Sequence, residues 1–234
     1  MAKGDHVADA DHNKAVLDYD GKYRQTGYLD IKGNVGRRKI YDDVVRIQSV
    51  LTKMGTRPRI PSITPGGPDH AQQYIFIHVA TIKGKARTNF LDFGPPYPSE
   101  AHHLVPESVF NEGNFLTPEQ LVVMRKADYD VNNGKNIMFL PQRKKDAPIH
   151  NLPIHRGSHK KYTDAVKKDA DAISDGLQKA VKKDQPHETW NPPADIVEKL
   201  YKLQDDYWNL LKNAGMIKVS DFEKPATQKK VFRR

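Results

Sequence analysis

Residues 98–110 read PSEAHHLVPESVF, an adjacent histidine pair entering an apolar run between two prolines. A regular strand sends successive side chains to opposite faces, so His102 and His103 would each address a different neighbour. Residues 136–141, NIMFLP, follow a turn signal at Asn133-Gly134 and read as a second strand stopped by Pro141. Residues 154–166, IHRGSHKKYTDAV, then place His155 and His159 four apart. On a helix running from His155 to about Lys168, that spacing puts both rings on one face, close enough to share a metal ion. The fold is read from this succession of strand, strand and helix, with imidazoles on the first strand and on the helix.

The ordered set Ala101-His102-His103, Asn136 in NIMFLP, and His155-x-Gly157-x-His159-x-x-Tyr162 resembles the AHH family of toxin nucleases. That family belongs to the HNH/endonuclease VII, or His-Me finger, superfamily, and the resemblance spans roughly residues 98–168. It implies an α+β fold in which a ββα-metal core, a β-hairpin and a helix pinching one divalent ion, is embedded in a mostly helical protein. It further implies His102, His155 and His159 as metal ligands and His103 as general base. Asn136 would hold the hairpin and orient that base. A bulge at Ala101 or Pro106 would exchange the roles of His102 and His103. One departure is the gap of 33 residues from His103 to Asn136, so the hairpin must carry a long excursion holding a helix near 118–127.

The implied activity is hydrolysis of phosphodiester bonds by a metal-dependent endonuclease, on double-stranded DNA ahead of RNA, in an antibacterial toxin or secreted effector. Such chemistry needs a base to deprotonate water, and an imidazole with an ordinary pKa near 6.5 suits neutral pH. It also needs a cation to stabilise charge at phosphorus and on the leaving oxygen. Three imidazoles without a carboxylate suit Zn²⁺, Ni²⁺ or Mn²⁺ by intrinsic affinity, with Mg²⁺ open if substrate phosphate adds ligands. Two other readings stand beside this one. The same core can serve a ribonuclease toxin. Alternatively, the histidines hold a structural metal in a non-catalytic nucleic-acid- or envelope-binding module, and Asp43-Val44-x-x-Ile47-Gln48-x-x-Leu51 resembles the opening helix of peptidoglycan-binding modules. Structural sites are usually closed by four protein ligands, whereas three are counted here.

Composition narrows the rest. The chain of 234 residues holds no cysteine, which excludes disulfides, iron–sulfur clusters and thiolate zinc sites. No window approaches 18 uninterrupted apolar residues, so no membrane association is expected. The opening twenty residues lack an apolar stretch after their basic residue. The expectation is secretion without a signal peptide, by contact-dependent delivery such as type VI secretion on a secretion-system carrier, and action in the target-cell cytoplasm. A cognate immunity protein, acidic over the basic face, would accompany such a toxin. Net charge is +9, and residues 135–168 hold nine lysines and arginines against Asp146 and Asp164. A basic block of this density attracts polyanions. Within it Arg156, Lys160 and Lys161 alternate with the histidines and read as contacts to flanking phosphates, with ordinary surface charge as the alternative. Tyr162 reads as core, and His150 as an alternative ligand placed in a loop.

Outside the site, residues 1–40 are polar and read as an extended or loosely ordered arm. Residues 41–95 form a helix–strand region: Val44, Ile47, Leu51 and Met54 set a helix over 41–54, and a strand follows at 73–83. The nuclease core is assigned to 96–168. Its excursion helix enters through Thr117 as N-cap and Pro118 at the first position. Residues 169–234 form a C-terminal helical layer and a basic tail. Gly176 is a candidate break, and Ile196, Leu200, Leu203, Tyr207 and Leu210 make one apolar stripe.

Overall fold

The computed structural model describes residues 22–41, 53, 78–82, 85–89, 99–110, 115–127 and 129–223. Helices predominate: α1 (Lys22–Gly33), the short α2 (Val35–Arg38), α3 (Pro118–Met124), the short α4 (Ala147–His150), α5 (Lys160–Asp169), α6 (Asp171–Ala180) and α7 (Ile196–Asn213). The strands form two antiparallel pairs, β1 (His78–Ile82) with β2 (Lys85–Asn89) and β3 (Ser99–His103) with β4 (Ile137–Pro141). The fold is α+β. No helix among the described residues is long and apolar enough to cross a membrane.

The pair β3–β4 is the centre of the molecule. Its register sets His102 against Met138 and His103 against Ile137. Every residue of β4 is buried, and the edge not paired with β3 is closed by Tyr41. The Tyr41 hydroxyl donates to Phe139 O at 3.0 Å and accepts from Phe139 N at 3.2 Å, so a single side chain substitutes for a third strand at that residue. Around the pair, Tyr28 and Ile31 of α1, Tyr162 and Val166 of α5, Ile173 and Leu177 of α6, and Leu200 and Tyr207 of α7 join one hydrophobic core.

Between β3 and β4 lies the expected excursion. Thr117 and Gln120 form a reciprocal capping box on α3, with Pro118 in the first turn. The Gln120 amide also donates to Ser174 O at 2.9 Å and Ser174 Oγ at 3.0 Å, fixing α3 to α6. The chain re-enters β4 through a 3₁₀ turn, Gly134–Asn136, where α1 crosses closely. A Cβ on Gly134 would stand 2.5 Å from Thr26 O, and one on Gly27 would stand 2.5 Å from Ile137 Cγ2. These two glycines let the helix lie directly on the strand entry.

Several expectations change. Residues 22–41 are not a loose arm: α1 and α2 pack into the core, and buried Arg37 donates to Lys135 O and Asp205 Oδ1, both at 2.6 Å. Arg37 also stacks over the Trp208 ring at 4.5 Å, so the polar composition of this segment concealed a cation with partners on all sides. Of the helix expected over 41–54, only Tyr41, which stands in a turn, and Lys53, which is helical, fall among the described residues. Of the strand at 73–83, only His78–Ile82 is described, as a strand. The break in the 155–181 segment falls at Ala170, not at Gly176, which sits inside α6. On α7 the stripe turns toward Leu211 and Trp208, both buried, while Leu210 is partly buried. The basic tail beyond residue 223 lies outside the described residues.

Candidate active site

At the end of β3, strand alternation sends the histidine pair in two directions. His102 is buried at 4% exposure, and its ring meets His155, His159 and Tyr162 edge-on at 5.1, 5.5 and 4.8 Å between centroids. Tyr162 is the base of this arrangement, its hydroxyl donating to Leu104 O at 2.7 Å, so it packs as expected. His155 Nε2 stands 3.1 Å from His159 Nε2. Ligand atoms of His102, His155 and His159 all lie within 4.8 Å of one another.

The way His155 and His159 meet differs from the helical reading. α5 begins at Lys160, with His159 as its N-cap residue. His155 lies on extended chain: its N–H donates to Pro141 O at 2.8 Å, and the preceding Ile154 bridges to Lys218. Gly157, at φ +78, turns the chain between them. The four-residue spacing therefore brings the rings together through a turn, with one imidazole fixed to β4 and the other to the helix start.

His103 leaves the opposite face of the strand. Its Nε2 lies 2.9 Å from Asn132 Oδ1, and its ring stacks on Tyr23 of α1 at 5.4 Å. Asn136, fully buried, makes its side-chain hydrogen bonds to Val105 and Val131 and not to the His103 ring. Its Oδ1 accepts from Val105 N at 2.8 Å, and its Nδ2 donates to Val105 O at 3.0 Å and Val131 O at 2.8 Å. Asn136 thus pins the strand ends, while the contact to His103 comes from Asn132, which sequence reasoning missed. The signal was present in the Asp/Asn-rich sequence at 130–136, where Asn132 N donates to Asp130 Oδ1 at 2.7 Å.

His102 and His103, at the end of the strand, both line one cavity of about 200 Å³ together with His155, His159, Glu107 and Thr163. A wider recess of about 600 Å³ adjoins it through His155 and is lined by Arg156, Arg143, Lys144 and Glu100. Arg156 is therefore beside the cluster. Lys160 and Lys161 lie further out, paired with Asp164 at 3.3 Å and Glu223 at 3.0 Å. His150 is not in the cluster; it is buried against the Tyr41 ring at 5.3 Å. His187 lies against Trp190 at 5.5 Å, and the remaining histidines lie outside the described side chains.

Burial dominates the electrostatics. It drives the His102 imidazole well below its ordinary value of 6.5, with repulsion from His155, His159 and His103 adding to the effect. His155 is lowered to about 3, by burial first and His159 second, and His159 is lowered by burial. His103 is also lowered by burial, against the opposing pull of the Asn132 bond and the Asp130 carboxylate. All four rings are held neutral near pH 7, the state in which imidazole binds metals and accepts protons.

The donor set fits a divalent ion. His102 Nε2 is buried without a hydrogen-bond partner among the described residues, an arrangement that costs free energy unless something else meets it. Imidazole nitrogens around a tetrahedral ion at ~2.1 Å stand about 3.4 Å apart, near the 3.1 Å between His155 Nε2 and His159 Nε2. Three imidazoles around an ion would leave a fourth coordination position open toward the cavity.

Fold and site together define an α+β protein whose chemistry-bearing groups are imidazoles gathered where a two-stranded pair meets a helix. The chain belongs to the AHH family, a nuclease family of the HNH/ENDO VII superfamily with a conserved AHH, whose model matches residues 84–206, just over half of the chain. Ala101-His102-His103 supplies that motif. No curated protein and no solved structure matches the chain. Membership of a nuclease family makes nucleic acid the substrate class, and nucleases of this superfamily generally use a divalent metal.

Proposed function

We propose that the protein is a metal-dependent endonuclease acting on DNA, with β3, β4 and α5 as its ββα-metal unit. The observation that carries this reading is the convergence of three imidazoles, one of them with an orphaned buried nitrogen, beside a fourth imidazole on the same cavity. His102, His155 and His159 would hold the ion, which when bound supplies charge stabilisation at phosphorus and at the leaving 3′ oxygen. His103 takes a proton from the attacking water, and its burial keeps it neutral and ready to do so. Arg156 and Lys144, flanking the cluster on the adjoining recess, meet phosphates on either side of the scissile bond.

The ion is Zn²⁺, Mn²⁺, Ni²⁺ or Mg²⁺, with the all-imidazole set favouring the first three. We further assign the enzyme as an antibacterial toxin, delivered by contact into a target-cell cytoplasm and neutralised in its producer by an acidic immunity protein. The toxin role draws on the family resemblance, and the acidic partner on the basic block at 135–168.

The test is nicking of supercoiled plasmid by purified protein across a divalent-metal series, with an EDTA control, a structured RNA in parallel and His103→Ala alongside. Metal-dependent cleavage, lost by about 10²–10⁴-fold in a folded His103→Ala, is the expected result. Cleavage of neither DNA nor RNA under any metal would overturn the assignment. Cytoplasmic expression of wild type against His103→Ala in a bacterial host tests the toxin role, with growth arrest expected only for wild type.

A further inference from the structure

The family match begins at residue 84, yet α1, at residues 22–33, closes onto the strand that carries the histidine pair. The rings of Tyr23 and His103 stack with 28° between their planes. Next to Tyr23, Arg24 Nη2 donates to Glu100 Oε2 at 2.7 Å, on β3 three residues before His103. On the ring's edge sits Asn132, 5% exposed, and fixed in turn by its own backbone bond to Asp130. One imidazole is thus held on a face and on an edge by two segments that the AHH motif does not include.

We propose that Asn132 and Tyr23 are positioning residues for His103: Asn132 keeps the ring proton on Nε2 and Tyr23 fixes the ring plane, so that Nδ1 receives the proton of the attacking water. A carboxamide oxygen is only an acceptor, so the 2.9 Å contact places the single N–H of the neutral imidazole on Nε2. The other nitrogen then keeps its lone pair. Burial of Asn132 excludes the bulk water that would otherwise offer the ring either tautomer. The Tyr23 ring restrains rotation about the Cβ–Cγ bond, which the Asn132 bond alone would leave partly free. Proton transfer needs both controls, since a base must present the correct nitrogen within hydrogen-bond reach.

This inference rests on the reading of His103 as the base, and two measurements separate the two claims. The first is the His103 tautomer in metal-free wild-type protein labelled with ¹⁵N-histidine, read at neutral pH from long-range ¹H–¹⁵N correlations and assigned with His103→Gln. Protonated Nε2 and bare Nδ1 are expected; the reverse would overturn the proposal whatever the enzyme cleaves. The second is steady-state cleavage of a DNA duplex. Asn132→Ala is expected to lower kcat about 100-fold, with KM moving less than about 3-fold. Asn132→Asp, which retains an acceptor, recovers most of the loss, and Tyr23→Phe retains activity where Tyr23→Ala does not. An active wild type whose Asn132→Ala keeps its kcat would overturn the positioning role and leave the nuclease standing. Wild type that cleaves nothing would instead remove the nuclease reading. Should Asn132→Ala fail to fold, the wild-type tautomer and Asn132→Asp still decide.

Discussion

His155 and His159 face each other across the turn at Gly157, one ring anchored to β4 and the other to the start of α5. The cluster is therefore assembled from three separate backbone elements, since His102 belongs to β3. The segment bearing His155 is braced in turn by the C-terminal region: Ile154 N donates to Ile217 O at 2.7 Å and Val219 N to Ile154 O at 3.0 Å. The C-terminal layer is thus part of what places His155.

That arrangement makes the His159 ring separable from the fold. His159 caps nothing with its side chain, and only its ring enters the cavity. His159→Ala should therefore keep the thermal midpoint of the metal-free protein within a few degrees and weaken metal binding by at least about 100-fold. Titration calorimetry with Zn²⁺ or Mn²⁺ checks it. Unchanged affinity would show that the ion is held elsewhere.

A different prediction concerns the N-terminal helix. Gly134 has Thr26 O where a Cβ would have to go, and backbone oxygen cannot move aside as a flexible side chain can. Gly134→Ala should lift α1 from the strand entry at a cost of about 1–3 kcal/mol. Chemical denaturation measures the loss. A neutral effect would mean that α1 does not dock on this turn. Since Tyr23 rides on the same helix, cleavage should fall along with stability.

How far the sequence spoke depends on the range of the interactions. Strand β4, helix α3 with its capping box, and helix α7 were legible because pattern and capping residues are local. The grouping of His102, His155 and His159 was legible too, although the last two meet otherwise than on a helix: four residues join two rings through a tight turn as readily as along a helix. Docking of α1 was not legible. It depends on Gly27, Gly134, Arg37 and Tyr41, whose partners lie about a hundred or more residues away in sequence, and no local period announces such contacts. Asn132 escaped for the same reason, being one of several turn-forming Asn and Asp residues until the fold brings it to His103.

Asn136 was read as holding the hairpin and orienting the base, and its contacts with Val105 and Val131 predict a structural phenotype. Asn136→Ala removes three side-chain bonds and leaves Val105 N, Val105 O and Val131 O unmet in the interior. The expected cost is about 3 kcal/mol, measured by urea unfolding. Any residual folded fraction should retain the His103 tautomer of wild type. A variant as stable as wild type yet inactive would return Asn136 to a direct role in the chemistry.

Acid should act through the buried imidazoles. In the unfolded chain each titrates near 6.5; in the folded protein His102, His103, His155 and His159 all titrate lower, His155 at about 3. Between those values the unfolded state binds more protons, so stability rises with pH across the window and levels off above the unfolded value. Read in the other direction, the neutral rings' contribution is intact above 6.5 and disappears as pH falls toward the folded values. Urea midpoints of metal-free protein should therefore be flat above about pH 7 and fall steadily below about pH 6. His155→Gln, which cannot take up a proton, should make that fall shallower. An identical slope in His155→Gln and wild type would show that His155 is not held neutral by its surroundings. The same depression sets the acid limb of kcat/KM: the neutral form of His103 persists below 6.5, so the limb should lie on the acidic side of that value.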